Sequence, residues 1–122
     1  MNKSIFIGRM ATDPKVMSSA GKKTVAYFRI AVERNFKQEG APNADYFSCV
    51  TFGARAELIA KYFYKGKKIA LEGEMHNDNY TGNSGEKVYG MRLLVNDIEF
   101  VDSKDESENV SQNGRTNRNS SQ

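Results

Sequence analysis

The sequence predicts an all-β fold, a small five-stranded β-barrel with one helix between strands 3 and 4, followed by a disordered C-terminal tail. Three observations predict it. Five segments alternate apolar and polar residues with a period of two, the mark of strands with one buried face. One segment, 54 to 65, carries apolar residues at helical spacing, and it falls after the third strand. Beyond Val101 the chain turns abruptly to Ser, Asn, Gln, Gly and charged residues, a composition that buries too little apolar surface to offset its ordering entropy.

The totals agree with one domain, 1–101, plus a polar tail, 102–122. At 122 residues, 39% apolar and 27% charged, the chain is long enough to build a core without disulfides or metals. No stretch approaches the roughly 20 apolar residues that span a bilayer. The amino terminus enters a strand pattern at once, without an apolar leader, so the expected location is cytoplasmic. Residues 1–101 hold 15 Lys and Arg against 11 Asp and Glu, a net charge of +4, which suits a polyanion but is weak evidence alone.

Strand 1 spans Lys3 to Arg9, with Ser4, Phe6 and Gly8 on one side and Lys3, Ile5, Ile7 and Arg9 on the other; Asp13-Pro14 breaks it. Strand 2 spans Thr24 to Glu33: Ala26, Phe28, Ile30 and Val32 read as core, leaving Tyr27 and Arg29 on the other face. Arg34 to Ala44 is a polar loop whose one large apolar residue is Phe36. That ring either plugs the base of its loop or, flanked by Arg34 and Lys37, offers a stacking surface beside cations.

Strand 3 spans Asp45 to Gly53. With Phe47, Cys49 and Thr51 inward, Tyr46 and Phe52 are left as rings on a wettable surface, where burial does not account for them and where bases can stack. The helix, Ala54 to Lys65, groups Leu58, Ile59, Tyr62 and Phe63 on one face, so both rings are expected in the core, and Gly66 is expected to close the helix. Strand 4, Lys67 to Met75, contains Gly73, a sign of a bend or bulge. Asn77 to Gly85 is a hairpin tip holding Tyr80, and strand 5 spans Lys87 to Val101 with a slip of phase near Asn96-Asp97.

The order β-β-β-α-β-β is that of an OB-fold. Cys49 and His76 are each the sole residue of their type. Cys49 therefore reads as a small core residue, no Cys/His metal cluster can form, and no cofactor is expected. Glu72 and Glu74 share a strand face without a recognisable third partner, so no enzyme is expected either.

Taken together, Ile5-Phe6-Ile7-Gly8-Arg9 with Asp13-Pro14, Phe28-Arg29-Ile30-Ala31-Val32, the whole stretch Asp45 to Gly53, Tyr64-Lys65-Gly66, Glu72-Gly73 and Tyr80 to Gly85 resemble the bacterial and phage single-stranded DNA-binding proteins, the SSB family, over residues 1 to 101. The resemblance implies non-catalytic, largely sequence-independent binding of single-stranded DNA during replication, recombination or repair. It implies base stacking on Phe36, Tyr46, Phe52 and Tyr80. Lys3, Arg9, Arg29, Arg34, Lys65 and Lys87 are the candidates for phosphate contacts, each weighed against being an ordinary solvated charge. A homotetramer is implied, with a dimer as the alternative, in a bacterial cell at the nucleoid or encoded by a phage.

Two departures stand out. His76-Asn77-Asp78-Asn79 replaces the basic residues usual before the hairpin ring, and the chain ends Asn119-Ser120-Ser121-Gln122 instead of in an acidic, apolar-tipped docking segment. DNA binding without the usual recruitment of replication or repair proteins is therefore expected. The rival reading is an OB-fold adaptor of primosome type, which binds a replication protein and shows no strong preference for single strands.

Overall fold

A computed structural model describes residues 1–36 and 38–101; Lys37 and the expected disordered tail, 102–122, lie outside the described residues. The elements run β1 (Ser4–Met10), β2 (Lys15–Met17), β3 (Val25–Glu33), β4 (Ala44–Phe52), α1 (Ala54–Tyr62), β5 (Lys68–Asn77), β6 (Tyr80–Thr81), β7 (Lys87–Val88) and β8 (Met91–Phe100). One sheet has the order β1-β5-β8-β4-β3-β2 and closes on itself where Arg9 and Met10 of β1 meet Ala31 and Ile30 of β3. The barrel strands are therefore β1, β3, β4, β5 and β8, with the helix between the third and fourth, the OB arrangement expected from the sequence. Every pairing is antiparallel except β4 with β8.

Two glycines make the closure possible. A Cβ on Gly8 would collide with the Ala31 carbonyl of the facing strand, and one on Gly73 with the Leu94 carbonyl. Gly73 lies at the register shift expected there. It pairs with Val95 while Glu72 pairs with Asp97, so Asn96 is the extra residue of a bulge. The phase of β8 reverses across it: Leu93 and Val95 are buried before the bulge, and Ile98 packs on the core after it.

The core follows the period-two reading. Ala26, Phe28 and Ile30 of β3 are buried with Val32 packed against them, and Cys49 joins Ile69, Leu71, Leu93 and Val95. Thr51 is fully buried and donates its hydroxyl to the Val95 carbonyl at 3.1 Å, so the polar atom is satisfied.

The helix corrects two expectations. It stops at Tyr62, and Phe63 swings to an extended conformation (φ −116, ψ 143) as its N–H bonds to the Ile59 carbonyl. That swing carries Phe63 into the core beside Ala56 and Ile59, whereas Tyr62, expected inside, stays 45% exposed at the rim. Gly66 does not close the helix. With φ 95 it sits in the next turn, held by a bond from the Lys67 N–H to the Tyr64 carbonyl. The expected fifth strand is likewise divided in two, because Gly90 receives the Asp78 N–H and donates to the Asn79 side chain, separating β7 from β8.

Candidate nucleic-acid interface

The alternation of β4 creates two faces of opposite character. Phe47 turns inward and packs against Phe6 with ring centroids 4.5 Å apart, followed by buried Cys49 and Thr51. Tyr46 and Phe52 turn outward and are 56% and 41% exposed. Six residues of strand separate these two rings by roughly 20 Å, so no single base can touch both.

Pairing of the neighbouring strands extends the outer face in rows. Arg29, Ser48, Arg92 and His76 stand opposite one another across β3, β4, β8 and β5. In the next row Lys15, Tyr27, Val50, Leu94 and Glu74 align across five strands. A third row joins Arg9, Ala31 and Tyr46. The Arg29 guanidinium lies 5.6 Å from the centre of the Tyr46 ring and that of Arg92 5.9 Å from Tyr27, within cation–π range. Two clefts open here, one lined by Thr12, Asp13, Arg29 and Arg92 among others, the other by Tyr27, Val50, Phe52, His76 and Leu94.

Two acids on this face are paired with its bases. Asp78 binds Arg92 at 3.0 Å, and Glu74 binds His76 at 3.0 Å. The His76 hydrogen bond holds the Glu74 carboxyl below its ordinary range.

The remaining candidates divide into three groups. Phe36 is 87% exposed in the β3–β4 loop, so it does not plug the loop. At the base of that loop Arg34 grips Asp45 with two parallel bonds, at 3.0 and 2.7 Å, and its N–H reaches the Asn43 carbonyl. The bond lowers the Asp45 carboxyl and raises Arg34. Tyr80, 61% exposed, and Lys87 share the β6–β7 hairpin, where Tyr80 opposes Val88 and Thr81 opposes Lys87.

Lys65 is exposed beyond the helix, its backbone N–H bonded to the Asp13 carboxylate at 2.8 Å. Lys3 is exposed just before β1, at the end of that strand opposite its Arg9–Met10 pairing with β3. The structure thus brings Tyr46, Phe52, Arg29 and Arg9 onto one outer surface.

Sequence reasoning passed over Arg92 and Lys15. Arg92 alternates out of phase with buried Leu93 and Val95, which marks it as outward. Its place beside Ser48 depends on the parallel β4–β8 register, which no local pattern encodes. Burial pushes the Cys49 thiol up to about 12, in keeping with an inert core residue. Among the described residues no group of three or more His, Cys, Asp or Glu could hold a metal ion, and no helix is long and apolar enough to cross a membrane.

The Single-strand binding protein family matches this sequence over residues 1–101. The chain belongs to the single-strand binding protein family. A single-stranded DNA-binding protein of Clostridium perfringens (strain 13 / Type A) is 38% identical over 104 residues, 84% of this chain and 67% of that protein. One from Lactiplantibacillus plantarum is 35% identical over 109 residues, 88% of this chain and 54% of that protein. Single-stranded DNA-binding protein 1 of Staphylococcus aureus (strain MSSA476) is 30% identical over 110 residues, 89% of this chain and 70% of that protein. This member of the single-strand binding family therefore spans between 54% and 70% of the length of these relatives.

Proposed function

We propose that the chain binds single-stranded DNA, largely without regard to sequence, and protects it during replication, recombination or repair. The observation that carries this reading is the exposure of Tyr46 and Phe52 on the outer face of β4, while Phe47 on the same strand fills the core. Bases stack on Tyr46, Phe52, Tyr80 and Phe36, and the phosphates between them meet Arg29, Arg9, Lys65 and Lys87. Every base has a flat face, so stacking of this kind is tolerant of sequence. Arg92 joins the phosphate contacts. Arg34, already held by Asp45 on both prongs, acts by fixing the loop that carries Phe36, and Lys3 is a further phosphate contact. The mechanism needs no bond making or breaking, in keeping with a family of non-catalytic DNA-binding proteins.

A fluorescence titration tests this reading. Oligo-dT should bind far more tightly than duplex DNA of the same length, with a salt slope of about −0.7 per phosphate neutralised. Equal affinity for both would refute it and favour an adaptor.

The working unit is a homo-oligomer, a tetramer by the family's example. Ile5 and Ile7, 68% and 63% exposed on the outer side of β1, lie in register with Glu72 and Ala70 of β5 and support burial of this face against a second copy. Light scattering that gives the mass of one chain would refute it.

A further inference from the structure

Away from the face just described, the carboxyl end of α1 and the end of β8 form a second group of exposed rings. Tyr62, Tyr64 and Phe100 are 45%, 59% and 54% exposed, and the plug under the barrel does not need them, because Phe63 fills that role at 3% exposure. Phe100 stacks on Phe63 with centroids 5.0 Å apart and planes 19° from parallel, and Tyr62 meets Phe100 edge-on at 5.8 Å. Tyr62 and Phe100 are therefore held in place before any ligand arrives, which lowers the entropic cost of binding.

Cations sit among these rings. The Lys67 ammonium lies 5.8 Å from the centres of Phe63, Tyr64 and Phe100, and that of Lys61 lies 5.2 Å from Tyr62. Among the described residues, neither these two lysines nor Lys65 makes an ion pair with a carboxylate. Exposed rings beside unneutralised cations match a polyanion that carries flat bases.

The cluster is also continuous with the first face. Asp13 lines the cleft of Arg29 and Arg92 and accepts the Lys65 N–H at 2.8 Å. The turn that follows is fastened to the end of β1 by the Gly66 N–H on the Met10 carbonyl and the Arg9 guanidinium on the Gly66 carbonyl, at 2.8 and 2.9 Å. A strand leaving the cleft past Asp13 meets Lys65 and then Tyr64.

We propose that single-stranded DNA continues from the β4 face onto this second site, with one or two further bases stacking on Tyr64 and Phe100 and a phosphate taken by Lys67. This rests on the reading that the β4 face binds single-stranded DNA, and it assigns a separate set of residues to a longer occluded length.

The test uses the full chain with oligo-dT of graded length, in which single thymines are replaced by 5-iodouracil for photocrosslinking. Crosslinks should map to Tyr64 or Phe100 as well as to the β4 rings. Tyr64→Ala combined with Lys67→Ala should lower affinity at least fivefold for long oligonucleotides, the lower end for one lost stack, and leave the shortest binding oligonucleotide unaffected. Crosslinks confined to the β4 rings, with unchanged affinity at every length, would overturn the second site and leave the first standing. Failure of the unaltered protein to bind any oligo-dT would instead overturn the first reading and this one with it. Crosslinks of the unaltered protein confined to the β4 rings, together with a changed oligomeric mass in the double variant, would identify the patch as a protein contact and overturn the proposal. The milder Tyr64→Phe, which keeps the ring, should restore long-oligonucleotide affinity when Lys67 is intact.

Discussion

Tyr46 and Phe47 are neighbours on one strand, and truncating each to alanine should produce opposite results. Tyr46 is 56% exposed, and its visible partner within the protein is the Arg29 guanidinium at 5.6 Å, a contact that contributes about 0.5–1 kcal/mol at exposed sites. Tyr46→Ala should therefore lower the melting temperature by only a few degrees. Its loss of a base stack, about 1–3 kcal/mol, should weaken binding to oligo-dT by roughly 5- to 150-fold. Phe47 packs on Phe6 at 4.5 Å and against the barrel core. Its truncation falls at the low end of the phenylalanine-to-alanine range because the ring is only partly buried, about 3 kcal/mol. At roughly 4–8 °C per kcal/mol for a domain of this size, melting should drop by more than about 10 °C. The folded fraction of the Phe47 variant should still bind oligo-dT with nearly unaltered affinity at low temperature. Fluorescence titration and thermal circular dichroism on both variants provide the check. If Tyr46→Ala melts early and binds normally, the two faces of β4 have been assigned the wrong way round.

Three other outcomes follow from separate parts of the structure. Asp78 holds Arg92 at 3.0 Å on the outer face of the barrel, so on the proposed reading Asp78→Asn should tighten oligo-dT binding by up to about fivefold, the range of an exposed ion pair, and steepen the salt slope by about 0.7; weaker binding would mean that Asp78 positions Arg92 for DNA. Gly73→Ala places a methyl group against the Leu94 carbonyl at the β5–β8 bulge. The overpacking should cost about 1–3 kcal/mol in denaturant unfolding, and an unchanged midpoint would count against the close approach. Burial raises the Cys49 thiol to about 12, above roughly 8.5 for an exposed thiol. The raised value contributes stability that is present below about pH 8.5 and is lost as pH rises toward 12. At pH 8 the thiol should resist a thiol-reactive dye in the native protein and react rapidly in denaturant, and equal rates in both states would contradict its burial.

Much of this was legible from alternation alone. The inward sets of β3 and β4 were written in their period of two, and Asn96 betrayed its bulge by putting apolar residues out of step before Ile98. Tyr62 was misplaced because helical spacing assumes that the helix continues. The chain instead turns extended at Phe63, and the change of backbone decides which ring is buried. Arg92 and Lys67 escaped notice for a different reason. Each acquires its neighbours from strands or turns distant in sequence, Arg92 through the β4–β8 register and Lys67 through the end of β8. Such contacts depend on closure of the barrel, which a local pattern does not contain. The exposure of Ile5 and Ile7 was left open by the sequence, since both faces of β1 carry apolar residues.

The clasp of Arg34 on Asp45 gives the β3–β4 loop a fixed pivot only two residues before Phe36. Two residues of backbone reach about 7 Å at most, so the ring stays close to the barrel. On the binding mode proposed above, a tether of this length would let Phe36 adjust to irregular spacing between successive nucleotides without disturbing the sheet.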